Sequence, residues 1–428
     1  KSLGFLELPD DENMLQLFGE SARVAIISET CGQVSSASFD SGTIKTESQL
    51  QFTLSLLGAS FSLGLNQGDL AQQALRRYKS WMLPSFPSYS PPAAMKIDFQ
   101  KYLRQMFGHL SLLFQNKASL SHPKFEAYIA VCSDALDTMH MIFVENYDRM
   151  NEESVHFMLK ILLATGDAIL EPEEKQVPLS DRLASQAIRV LLDVWLVAGT
   201  KDASLWKGIS DMFLRWSHRV CVVSQWQEVC WSITMYLERL LFGENDGLDV
   251  LHLSTKDATL RPSLADTVHL WYRMLFLIGD PAYVGNPQAY LVIIRALTAI
   301  CDSLLTVGST FHPRNSPTNA PPVPTDGNSL LAIFGPWLFE ASFGVLKPRK
   351  GNVHGLTGGI SESDFCDGQA EACAGLCRLF CTEQVRPFRE LYLGRFFSCM
   401  YENLVENNHH IIVSIISHIH PIFSRELK

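Results

Sequence analysis

The sequence predicts an all-α fold, a divergent α-solenoid of HEAT- or armadillo-like helix pairs, and three observations carry that expectation. From Thr46 onward apolar residues recur at three-and-four spacing in one segment after another, which puts them on one face of successive helices. Short turns bearing Gly, Pro or Ser separate these segments, and no stretch shows a credible strand-turn-strand alternation. At 428 residues the chain is long for one compact core, whereas stacked helix pairs grow without that limit. No exact repeat is visible, so the repeats have diverged.

Residues 1–43 form a poorly defined N-terminal segment, helical at most over Glu12–Ile27 and loop-like from Cys31 to Gly42. A helical solenoid is expected over 44–308. Its first faces are Leu50, Leu54 and Leu57, then Leu70, Leu75, Tyr78 and Met82, closed by Pro84 and the proline-rich turn that follows. Phe99, Leu103, Met106 and Leu110 make the next. A helix pair follows over His122–Val144, entered through Pro123 at the first helical position, and Glu152–Leu170.

The densest part of the chain is 179–243, where three helical patterns run almost end to end and hold five of the eight tryptophans. Ile188, Leu191, Leu192, Trp195 and Leu196 line the first, ended by Gly199; Leu205, Ile209, Met212, Phe213 and Trp216 line the second. Ser224 reads as the N-cap of the third, lined by Trp226, Val229, Cys230, Ile233 and Leu237. A polar insertion over 244–262 precedes an aromatic helix at 264–278 and an apolar one at 288–307. The stretch 309–327, with five prolines, reads as a flexible loop. The solenoid continues over 328–428, interrupted by a Gly-rich loop at 347–367.

The 45 acidic against 35 basic residues give a net charge of −10, which argues against nucleic acid as a partner. Apolar residues make up 47% and mean hydropathy is +0.07, so much surface must be hidden, some of it by partners. No stretch reaches the roughly 20 uninterrupted apolar residues of a transmembrane helix. Ten cysteines set mostly within apolar patterns read as reduced small hydrophobes in a reducing cytosol. The start at Lys1, without methionine or signal-peptide layout, reads as that of a fragment.

No residue set forms a catalytic, metal or cofactor site. Cys373, Cys377 and Cys381, four residues apart, would stack along one helix face, where they cannot wrap a zinc tetrahedron; they read as a small-residue seam. His409, His410, His418 and His420 match no zinc spacing, and Gly355–Ser361 lacks the lysine and hydroxyl of a phosphate loop. Lys347, Arg349 and Lys350 form a basic cluster that reads as a solvated turn before it reads as a docking site. The residues singled out are therefore structural: Trp195, Trp216, Trp226, Trp271, Trp337, Cys373 and Cys377 as core.

Several segments, in the same order, resemble the beta-subunit family of Ral GTPase-activating protein complexes, in its N-terminal helical region. They are Ala187–Ala198 (AIRVLLDVWLVA) with Leu205–Lys207, Gln225–Val229, Thr267–Arg273 with Asn286-Pro287, Asn328–Ala341 (NSLLAIFGPWLFEA), Gln369–Cys381 (QAEACAGLCRLFC) and Tyr392–Phe397 (YLGRFF). Weaker similarity begins at Ile44, so the resemblance covers most of the chain after its first forty residues. It implies a cytoplasmic, noncatalytic scaffold that supports assembly with an alpha subunit. That subunit would carry the catalytic asparagine thumb and act on a Ral-type small GTPase, so this chain meets the GTPase only indirectly. Higher-order assembly through this region stays open, and a generic HEAT-like trafficking or cargo adaptor is the alternative.

Overall fold

In each half of the molecule the helices alternate between two rows, so that a helix meets its sequence neighbour and the helix two places on. A computed structural model describes residues 18–36, 39–115, 122–170, 178–242, 250–253, 259–310, 326–347, 362–382, 386–406 and 408–423. Two compact units result, Lys1–Met212 and Phe213–Lys428, and the division falls within a helix of the tryptophan-rich run.

The first unit holds α1 (Glu20–Ser35), α2 (Glu47–Phe61), α3 (Gly68–Met82), α4 (Phe99–Ser111), α5 (Phe125–Asn146), α6 (Glu152–Leu170) and α7 (Pro178–Ala198), and α8 (Ala203–Trp216) begins in it. Helices α1, α3, α5 and α7 pack in one row and α2, α4 and α6 in the other. The second unit contains α9 (Val220–Phe242), α10 (Leu264–Leu275), α11 (Pro287–Thr310), α12 (Gly327–Ser342), α13 (Cys366–Cys381), α14 (Glu390–Val405) and α15 (His409–Ile419). Here α9, α11, α13 and α15 form one row. Beside it, α10 meets α12 through the Trp271 and Phe334 rings, 6.2 Å apart, and α12 meets α14. The fold is all-α, with the local packing of an α-solenoid.

Local chemistry starts the helices. Thr46 and Gln49 form a reciprocal capping box on α2, Asp98 caps α4, and Ser263 accepts from Asp266 N at the start of α10. The apolar faces read from periodicity lie inward: Leu50, Leu54, Leu57, Leu75, Leu103 and Met106 have no exposed surface.

Several boundaries differ from the sequence reading. Helix α1 runs through Cys31 to Ser35, because Ile27, Cys31 and Val34 share a buried face that outweighs the serine- and glycine-rich composition. Helix α5 starts at Phe125, two residues after Pro123. Helix α9 starts at Val220, so Ser224 lies inside it and caps nothing; the buried Val222 and Val223 draw the chain into helix earlier. The polar insertion contains a two-stranded antiparallel ladder, β1 (Leu251–His252) on β2 (Thr259–Leu260), which no alternation in sequence announced. Most of 309–327 and 347–367 lies outside the described residues.

Two helices, Phe125–Arg149 and Pro287–Thr306, are long and apolar enough to cross a membrane by length and composition alone. In each, 61% of the apolar window is buried inside the structure, where neighbouring helices cover it.

Candidate functional site

The residues singled out in sequence fall into three interior clusters, with Trp337 half-buried. In the first unit Trp195 of α7 is fully buried and meets Trp206 of α8 edge-on, with ring centroids 6.2 Å apart. In the second, Trp216 and Trp226 are buried and Trp271 is nearly so. The Trp226 indole N–H donates to the Met274 carbonyl of α10 at 2.7 Å, a last-turn carbonyl with few partners within its own helix. In the opposite direction, Trp271 of α10 donates to Thr234 Oγ1 of α9 at 2.9 Å, and that hydroxyl donates on to the Cys230 carbonyl at 2.7 Å. The α9–α10 contact is thus stitched by two indoles whose polar ends are satisfied where their rings are buried.

One tryptophan departs from the core expectation. Trp337 is half-buried, because α12 turns it toward the surface, where its ring lies 4.9 Å from the exposed Phe276. Trp231 is 40% exposed, one residue away from the buried face of α9 that carries Cys230.

Cys373 and Cys377 are buried on α13, whereas Cys381 is half-buried. The third thiol of that cluster comes from α14. Cys399 hydrogen-bonds Cys373, which raises the Cys373 pKa and lowers that of Cys399. Cys399 Sγ lies 2.9 Å from Ser342 Oγ, and Asn403 Nδ2 donates to the Ser342 carbonyl at 2.9 Å. Cys377 sits 3.6 Å from Met400 Sδ, and burial pushes its thiol up to about 12. These groups join α12, α13 and α14, and Cys373 and Cys377, held protonated, are apolar fillers rather than nucleophiles.

One residue of α13 that the sequence reading passed over sets how close this row packs. A Cβ built on Gly375 would lie 2.3 Å from Thr298 Cγ2 of α11, closer than side chains ever approach. Around that contact, Arg378 donates to Asp302 at 2.7 Å and to Glu371 at 2.9 Å, and Thr298 donates to Glu371 at 2.8 Å.

Among the described residues no group of three or more His, Cys, Asp or Glu side chains is placed to hold a metal ion. On α15, His418 Nδ1 pairs with the Ser414 carbonyl at 2.8 Å, while His409 and His410 are exposed. Lys347 of the basic cluster is held by Asp280 at 2.7 Å and Glu340 at 2.6 Å, so its charge serves the fold; Arg349 and Lys350 lie outside the described residues.

A buried ionisable pair was also missed. His140 of α5 and Asp193 of α7 lie 3.7 Å apart in the interior of the first unit. An acid set amid apolar neighbours in Ala187–Ala198 was the available signal. Burial pushes the His140 imidazole down from 6.5 to about 4, against the opposing field of Asp137 and with a smaller push from Arg189. An unfolded His140 takes up a proton as pH falls past about 6.5 and the folded one only near 4. Its contribution is therefore complete above about 6.5 and is lost on acidification through that window, on the order of 3 kcal/mol. Hydrogen-exchange protection of the α5 and α7 amides, corrected for the intrinsic pH dependence of exchange, is expected to weaken in the parent between pH 6.5 and 4.5, with a flatter profile for His140→Gln; parallel profiles would contradict this.

The chain's relatives are informative where its chemistry is silent. Residues 124–244, from the start of α5 to the end of α9, match the profile of the RALGAPB N-terminal domain. The Ral GTPase-activating protein subunit beta of Homo sapiens is 23% identical over an alignment of 531 residues that covers 90% of this chain and 35% of the human protein. The subunit beta of Mus musculus is 26% identical over 260 residues, covering 59% of this chain and 17% of the mouse protein. A Rap-GAP domain-containing protein of Dictyostelium discoideum is 23% identical over 307 residues, 71% of this chain and 17% of that protein. The chain thus spans about a third of the human relative's length.

Proposed function

We propose that the chain is a noncatalytic scaffold region of the beta subunit of a heteromeric Ral-type GTPase activator. In this reading the helical blocks 44–308 and 328–428 support assembly with an alpha subunit that carries the catalytic residues, in the cytoplasm, and a Ral-type small GTPase is met only through that subunit. The observation that carries the reading is the similarity to the human beta subunit along 90% of the chain, which a single shared motif would not produce. The packing agrees with it: the tryptophans and cysteines serve helix contacts, and stacked helices offer extended surface for partners.

Co-purification tests it. The natural full-length polypeptide is expected to retain a matching alpha subunit and its stimulation of GTP hydrolysis on a Ral-type GTPase, and deletion of 1–428 is expected to cut complex yield at least several-fold. Unchanged yield and activity after deletion would refute the scaffold role. The adaptor alternative would be favoured by binding of a transport receptor or cargo tail together with indifference to Ral regulators.

A further inference from the structure

Three helices of the second unit bring two thiols to one residue, Ser342, which ends α12. Its hydroxyl oxygen lies 2.9 Å from Cys399 Sγ of α14, and its carbonyl oxygen lies 3.9 Å from Cys373 Sγ of α13. The two thiols also hydrogen-bond each other. Asn403, one turn along α14 from Cys399, stands with Nδ2 3.5 Å from the same sulfur and is anchored on the Ser342 carbonyl at 2.9 Å. All four residues are buried.

These neighbours set Cys399 apart from other interior thiols. At Cys132, Cys230 and Cys301 burial dominates and pushes the thiol up. At Cys399 the hydrogen bond from Cys373 outweighs the cost of burial, Ser342 and Asn403 add to it, and the thiol is displaced downward. The Ser342 hydroxyl also faces the Phe339 carbonyl at 2.9 Å, and its one proton can turn from that carbonyl to a sulfur anion. A thiolate that accepts three hydrogen bonds is the nucleophilic form of cysteine, and the thiol touching it is placed as its resolving partner. In the reduced protein Cys373 keeps its proton chiefly because of the hydrogen bond to Cys399. Once Cys399 bears no negative charge that restraint is gone, and Cys373 turns from donor to nucleophile.

We propose that Cys399 and Cys373 form a reversible dithiol–disulfide pair, oxidised by hydrogen peroxide, that ties α14 in one row of the second unit to α13 in the other. It stands on contacts inside that unit and is independent of the chain's role in a GTPase activator. In the first step the Cys399 thiolate attacks one peroxide oxygen: an S–O bond forms, the O–O bond breaks, and the hydroxide released recovers the proton the thiol gave up and leaves as water. The Cys373 sulfur then attacks the sulfenic sulfur. The S–S bond forms as the S–O bond breaks, and the second oxygen leaves as water with the Cys373 proton. Two thiols are thus oxidised by two electrons while one peroxide is reduced to two waters. Because both sulfurs are closed off from solvent, the site takes a water-sized oxidant, admitted by local opening of α14, and shuts out bulky disulfides.

Peroxide treatment of the reduced chain tests it, with remaining thiols blocked before digestion and peptides read by mass. The peptides carrying Cys373 and Cys399 are expected to appear joined, with the loss of two hydrogens, and dithiothreitol is expected to release them. Hydrogen exchange of the α14 amides should slow by at least about tenfold on oxidation of the parent and stay unchanged in Cys373→Ser and Cys399→Ser. Cys377→Ser is expected to keep the cross-link. The proposal is overturned if the folded parent forms no cross-link, if Cys373 joins Cys377 or Cys381 instead, or if the link forms only in urea. A Cys373–Cys399 link that leaves α14 exchange as fast as before would overturn it as well.

Discussion

Replacing Trp226 by alanine is expected to destabilise the second unit by roughly 3 to 5 kcal/mol, the usual cost of emptying a buried aromatic site. The ring is fully buried between α9 and α10, and its indole N–H donates to the Met274 carbonyl at 2.7 Å. Trp226→Phe separates the two contributions. It keeps most of the ring and leaves the carbonyl without its indole donor, for which about 1 to 2 kcal/mol is expected. Because the chain divides into two compact units, a single global midpoint is the wrong observable. Hydrogen exchange of the α9 and α10 amides reports the right one: protection there should fall strongly in the alanine variant and modestly in the phenylalanine variant. Parent-like exchange in Trp226→Ala would show that the indole does not brace this contact.

Gly375→Ala is expected to cost about 1 to 3 kcal/mol, against the sign of helix propensity. In an isolated helix the change would stabilise by about 1 kcal/mol. Here the new methyl would stand 2.3 Å from Thr298 Cγ2 and 3.0 Å from Thr298 Cβ. The second atom is tied to the α11 backbone, so no rotamer change relieves the clash and α11 and α13 must separate. That separation would also stretch the Arg378 bond to Asp302, which crosses the same contact. Thr298→Ala removes the nearer methyl, so the double variant should lose less stability than the sum of the single variants. Additive losses of amide protection in α11 and α13, read by hydrogen exchange, would place the cost elsewhere.

The two cases divide by what periodicity can encode. Trp226 was legible because large apolar residues at three-and-four spacing imply a buried face, and Trp195, Trp216 and Trp271 followed the same logic. Gly375 was not, because a glycine in a helical pattern reads only as a weak position until a neighbour arrives within van der Waals distance. Trp231 and Trp337 show the limit from the other side: residue type predicts burial on average, while the angle at which a helix meets its neighbours settles each position. The start of α9 moved from Ser224 to Val220 for the same reason, since tertiary burial of Val222 and Val223 outweighs a local capping preference.

The sequence by itself determined that the chain is all-helical, which faces of its helices are apolar, and which family it resembles, since each of these is written in local spacing and residue order. Only the tertiary structure decided the division into two units at Met212, the Cys373–Cys399 contact across α13 and α14 and the His140–Asp193 pair. Those features depend on which helices meet and at what distance, a relation between residues far apart in the chain that no helical period contains.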